Sequence, residues 1–323
     1  MVVPLGDRLN RRRLIPTIML ASAVALAAAA AAASFAALLV ALALVGVTTV
    51  AGQLLVPLAG DLARDDQRGR VVGTVASGIL IGILVSRTIS GLVADALGWR
   101  AIYVMAAVVL AAVLARVLPV LPSRASTGYG SLLVSVLTTV RRHRSVQVTL
   151  VLSALAMTVF TLFWTALTFL LSAVPFAYTT SQIGLVGLAG ALTAQRAGRL
   201  HDRGWSVPTT GAALLLALAA IVLSATGAES IIIVLIAVLL LDIAIQAVNV
   251  LNQSRLMHVE PQNRSRLNTA FVTGNFIGGT IGSALAAALR QTGGWALVMT
   301  GAAVLLALAL IVWAAARRDL TVA

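Results

Sequence analysis

The stretch RGRVVGTVASGILIGILVSRTISGLVADALGWR, Arg68 to Arg100, decides how this chain is read. Its framework returns without a gap in RSRLNTAFVTGNFIGGTIGSALAAALRQTGGW, Arg264 to Trp295. Arg68 answers to Arg264, Arg70 to Arg266, Gly78 to Gly274, Gly82 to Gly278 and Gly98-Trp99 to Gly294-Trp295, each 196 residues on. Asp7-Arg8 recurs at nearly the same distance as Asp202-Arg203. The chain therefore reads as two related halves. A long apolar stretch precedes Asp202 and almost none precedes Asp7, so the first half is expected to lack two membrane spans at its front.

Composition sets the class. Apolar residues make up 60% of the chain and charged residues 10%, with a mean hydropathy of +1.03, too apolar to be hidden inside one globular core. The expected fold class is all-α, a polytopic membrane protein with about ten spans divided four plus six. The absence of cysteine excludes disulfides and thiolate metal sites. There is also no lysine, which excludes a Walker A phosphate loop and Schiff-base chemistry. His143, His201 and His258 lie apart in polar connections without metal-ligand spacing, so neither a metal nor any other cofactor is expected. No cluster of nucleophiles, bases or ligands appears inside the spans, which argues against an enzyme. The net charge of +13 is spread between apolar runs rather than gathered with aromatics, so it suits a lipid surface and not nucleic acid.

Segments long enough to cross about 30 Å of hydrocarbon run from Leu14 to Ala32, Phe35 to Leu58, Val71 to Ala94, Ala101 to Leu118, Val148 to Ala173, Ser181 to Ala197, Val207 to Gly227, Ile231 to Leu251, Leu267 to Leu289 and Ala296 to Ala315. Alternate connections hold nearly all the arginines, and only Arg100 and Arg290 fall on the other side. Positive loops stay inside. Both termini are thus expected in the cytoplasm. Residues 1–118 form the shortened first bundle, 119–147 a cytoplasmic central loop and 148–323 a six-helix bundle. Within that loop, Ser131 to Val140 reads as a surface helix or as a plain tether. The amino-terminal arginines and alanines imitate a secretory signal, but the echo of Asp7-Arg8 at Asp202-Arg203 favours a retained span.

These residues resemble the major facilitator superfamily, in particular its bacterial drug:proton antiporters and arabinose-efflux permeases. The resemblance is carried by PLGDRLNRRRLI (Pro4 to Ile15), GRLHDRG (Gly198 to Gly204) and the two long repeats. It implies a secondary transporter of the inner membrane of a bacterium, moving drug-like or sugar-like small molecules by alternating access, with the proton as coupling ion, partners limited to lipid and substrate, and a monomeric state. A shortened, non-transporting membrane protein or assembly partner is the alternative. By the same resemblance, Asp7, Arg8, Arg11 and Arg12, and Asp202 with Arg203, form gating loops that steady one state; the plainer reading is that they only enforce topology. Val3 and Asn10 replace two glycines of the family loop, and the Gly-Pro pair of the antiporter helix is missing beside Gly73, Gly78, Gly82 and Gly91.

Polar groups inside spans are costly and so informative. Asp242, Gln246, Asn249 and Gln253 follow one another at i, i+4, i+7 and i+11, a single stripe on an apolar helix. The stripe lines a substrate cavity with Asp242 as proton acceptor or cation partner, or it makes interhelical hydrogen bonds. Arg87 either snorkels outward or meets an acid such as Asp242. Phe160, Phe163, Trp164 and Thr168 are expected on one side of a cavity-lining helix, holding a flat ligand or packing against neighbours. Asn268 and Asn275 are further candidates. Gly78, Gly82, Gly274, Gly278 and Gly282 allow close helix approach, for rocking or for static packing.

Overall fold

The computed structural model describes residues 11–49, 67–117, 140–191, 206–259 and 264–321, some of their side chains excepted. These residues form helices and no strands: α1 (Arg11–Ala31), α2 (Phe35–Thr48), α3 (Arg68–Leu97), α4 (Trp99–Val117), α5 (Arg144–Ser172), α6 (Thr180–Ala191), α7 (Ser206–Thr226), α8 (Ile231–Val259) and α9 (Arg264–Thr321). Within the described residues the expected apolar segments fall on helices, and α9 carries two of them in limbs separated by non-helical Gly293 and Gly294. Among the described residues, α4, α5, α7, α8 and α9 are long and apolar enough to cross a membrane, while α1, α2 and α3 contain shorter apolar helices. The helix expected to stop at Leu251 runs on to Val259. The expected surface helix in the central loop, up to residue 139, lies outside the described residues.

The chain divides into two compact units, Met1–Leu133 and Val134–Ala323. In the first, α1 packs against α2 and α4, and α4 against α3. The start of α2 is set by Ser34, whose hydroxyl accepts the Ala37 N–H at 3.2 Å, satisfying one of the open donors of the first turn. Arg100 donates to the Ala32 carbonyl at 3.0 Å, just past the end of α1, with its guanidinium 4.3 Å from the Trp99 ring centroid. A cation there suits the negative end of a helix dipole.

In the second unit α5 and α9 share the most extensive interface, and α7 packs on α8 and α9. Its core is continuous, with Leu152, Phe163 and Leu167 of α5, Leu214 and Ile221 of α7, Leu241 and Ile245 of α8, and Val298 and Leu306 of α9 all within it. Arg290 repeats the device of Arg100, donating to the Phe169 carbonyl near the end of α5 at 3.3 Å. The two arginines that break the charge bias thus both serve helix C-termini.

The duplicated Gly-Trp pair has a duplicated backbone. Gly98 has φ +81 and Gly294 has φ +61, left-handed values that a Cβ disfavours, and each is followed by a tryptophan that opens the next helix. At the later joint the chain reverses. A Cβ on Gly301 would lie 2.7 Å from Leu289 Cδ1, whereas twelve residues of straight helix would span about 18 Å. Trp295 then donates from its indole to the Ser224 carbonyl in α7 at 3.0 Å.

The glycine rows separate into contacts and open positions. A Cβ on Gly278 would run into the Ala154 carbonyl oxygen, and one on Gly282 into that of Thr158, so α9 lies directly on the backbone of α5. Gly78, Gly82 and Gly274 have no described atom within 4 Å of such a Cβ.

Candidate functional site

Asp242 sits near the middle of α8 and is 6% exposed. Its Oδ1 accepts the indole N–H of Trp164, from α5, at 3.0 Å. The pairing follows from helical geometry on both sides: Leu241 and Ile245 turn into the core, while the stripe beginning at Asp242 runs along the adjoining face. An indole is a donor only. It needs an acceptor, and a carboxyl oxygen offers one whether the acid is ionised or protonated. Trp164 therefore positions Asp242 without adding charge to it.

Phe160 and Trp164 lie one turn apart, their ring centroids 6.3 Å from each other, and the Thr168 hydroxyl donates to the Trp164 carbonyl at 3.0 Å. Phe163 lies at the core edge of that side, in the cluster against which Phe160 and Trp164 also pack. It is fully buried and meets the Trp295 ring edge-on at 5.9 Å. One residue of offset from Trp164 turns a side chain about 100° round the helix, enough to move Phe163 into the core.

Farther along the stripe, Gln246 is half-buried, and Asn249 Oδ1 is buried with no hydrogen-bond partner among the described residues. Gln253 donates to Asn268 Oδ1 of α9 at 3.2 Å. Because α8 and the first limb of α9 run antiparallel, seven residues from that bond in each helix brings Gln246 and Asn275 to about the same depth. Asn275 Oδ1 is likewise buried without a partner among the described residues. The face thus combines an acid, an indole and amide acceptors.

Sequence reasoning missed a second polar group. Arg255 falls beyond the expected end of its span at Leu251, yet it is 3% exposed inside α8. Its guanidinium donates to Asn252 Oδ1 at 2.9 Å, to Ser206 Oγ at 2.9 Å and to Thr210 Oγ1 at 3.3 Å. Asn252 in turn donates to Ser153 Oγ of α5 at 2.9 Å. One arginine thereby ties α5, α7 and α8 together. The available signal was the recurrence of short polar side chains at helical spacing, Thr149 with Ser153 and Ser206 with Thr210.

Asp7, Arg8, Asp202 and Arg203 lie outside the described residues, as do the side chains of Arg11, Arg12 and Arg87. Among the described residues no group of three or more histidine, cysteine or acidic side chains is gathered as for a metal.

Residues 1–259 match the family model of the Major Facilitator Superfamily. The chain is 40% identical over 318 residues to the "Uncharacterized transporter YgaY" of Escherichia coli O157:H7, covering 97% of this chain and 81% of that protein. It is 34% identical over 299 residues to the "Probable transporter SCO4007" of Streptomyces coelicolor, covering 90% of this chain and 69% of the other. The fold is similar to a crystal structure of the human organic anion transporter MFSD10 (TETRAN), with TM-score 0.71, 20% identity and coverage of 97% and 79%. It is also similar to a bacterial homolog of the human lysosomal transporter Spinster in an inward-facing, occupied conformation, with TM-score 0.74, 15% identity and coverage of 99% and 84%. The chain belongs to the Major Facilitator Superfamily and is a multi-pass membrane transporter.

Proposed function

We propose that this transporter is a proton-coupled exporter of small organic molecules, drug-like or sugar-like, working as a monomer by alternating access in the cytoplasmic membrane of a bacterium with both termini inside. The observation that carries the reading is the buried Asp242 carboxyl held by the Trp164 indole at 3.0 Å. An ionised carboxylate at mid-depth costs about 2.5–3.5 kcal/mol, and a group that takes up and releases a proton gives that cost a use. The amide oxygens of Asn249 and Asn275, unpartnered among the described residues, supply acceptors for a substrate with N–H or O–H groups. Translocation is the activity assigned, and no chemical transformation of the substrate.

The test uses everted membrane vesicles containing the full chain, with a pH-sensitive dye inside and a fluorescent lipophilic cation as trial substrate. Wild type is expected to release protons when the cation is added. Asp242→Asn is expected to lose this response by at least about tenfold, and Asp242→Glu to retain part of it. Equal proton release by Asp242→Asn and wild type would sink the proton role. Folded wild-type protein indistinguishable from empty vesicles would remove export of such cations.

A further inference from the structure

A groove of about 590 Å³ runs between α7 and the second limb of α9. It owes its shape to Gly211. A Cβ there would strike the Trp313 indole, with Cη2 at 2.7 Å and Cε2 at 2.8 Å. Without one, the ring lies against α7, and its N–H donates to the Val207 carbonyl at 3.0 Å, which fixes the ring in place. Exposed Ala212 and Leu215 continue the apolar wall along α7. Arg317 and Arg318 close one end, about one turn beyond Trp313.

We propose that this groove binds an anionic phospholipid, with an acyl chain along Ala212 and Leu215 and the phosphate against Arg317 and Arg318. Apolar exposure alone says little in a protein that spans a bilayer. The ordering of the lining is what selects the occupant. It is hydrocarbon-like for most of its length, has an indole near the boundary, where such amphipathic rings favour headgroup depth, and ends in two guanidiniums. A polar substrate would need polar groups placed along the wall, whereas an amphiphile with one charged end matches this lining throughout. The guanidinium fork also suits phosphate oxygens. The acid that follows these arginines, Asp319, is engaged by Arg144 at 3.0 Å.

The experiment is a titration of the purified full chain in neutral detergent with phosphatidylglycerol, phosphatidylcholine or inorganic phosphate, read by native mass spectrometry and by the thermal unfolding midpoint. Phosphatidylglycerol is expected to give retained adducts and a raised midpoint, and the other two are not. The Arg317→Gln/Arg318→Gln variant is expected to bind phosphatidylglycerol roughly 30-fold more weakly, at about fivefold per arginine. Ala212→Phe, which obstructs the trough and keeps both charges, is expected to weaken it as well. Both substitutions are at exposed positions, and circular dichroism checks that the variants are folded. Equal binding of the two lipids, full retention by the double arginine variant, or the same stabilisation by inorganic phosphate would overturn the proposal. So would lipid-independent cross-linking of two copies through this face. The readout is binding, so its outcome is separate from proton coupling.

Discussion

Gly282→Ala should destabilise this transporter more than its size suggests. The added Cβ would meet the Thr158 carbonyl oxygen well inside contact distance and would stand 3.0 Å from the Leu162 backbone nitrogen, where ordinary contact is 3.4–4 Å. Neither obstacle is the end of a flexible side chain. Relief from the nitrogen alone needs about 0.4 Å of separation, and the carbonyl demands more. A gap of about 0.5–1 Å forfeits a quarter to a half of the dispersion energy of the contacts it opens. Helices in lipid have little besides packing to hold them together, and the interface affected is the most extensive in its unit. Overpacking of this kind costs about 1–3 kcal/mol, which corresponds to a fall in unfolding midpoint of roughly 2–12 °C. The assay is thermal unfolding of purified protein in detergent, with Gly274→Ala as the control. Gly274 lies on the same helical row and has no described atom within 4 Å of its added Cβ, so alanine there is expected to be neutral or to gain up to about 1 kcal/mol of helix propensity. If Gly282→Ala were as stable as Gly274→Ala, the close-contact argument would be refuted.

The other expectations concern polar groups. Arg255→Gln should cost about 2–4 kcal/mol, because it disrupts bonds to Asn252, Ser206 and Thr210 within a buried setting; an unfolding midpoint within a degree of wild type would count against that network. By contrast, Asp319→Asn should change stability by less than about 1 kcal/mol, since its partner Arg144 is 78% exposed and the pair is open to solvent screening. Trp164→Phe keeps an aromatic ring but deletes the indole donor to Asp242, and a double-mutant cycle with Asp242→Ala, which removes the acceptor, should give a coupling of about 0.5–3 kcal/mol in unfolding free energy. Simple additivity would mean that the indole and the carboxyl act independently.

Much of the fold was legible because membrane spans announce themselves by continuous apolarity, and because duplicated Gly-Trp pairs require the same backbone at Gly98 and Gly294. The stripe from Asp242 was legible for a related reason: a helix places positions i, i+4 and i+7 on one side. Its partner was not, since nothing local to Trp164 tells which acid, 78 residues away in sequence, will face its N–H. Arg255 was hidden by position. An arginine next to the end of an apolar run looks like a topological marker until the helix proves to continue past it. The glycines show the same limit, for Gly274, Gly278 and Gly282 are equally spaced, yet only the latter two rest on α5, because the helices diverge away from that crossing. Phe163 differs from Phe160 and Trp164 only by rotation about α5, a matter settled by neighbours rather than by composition.

The joints at Gly98 and at Gly293-Gly294 leave no slack between the helices they connect. At the later one, a tilt of the limb that rests on α5 is handed straight to the limb that follows, and through Trp295 to the far end of α7. Displacement in this half is therefore expected to travel as the shift of a braced block.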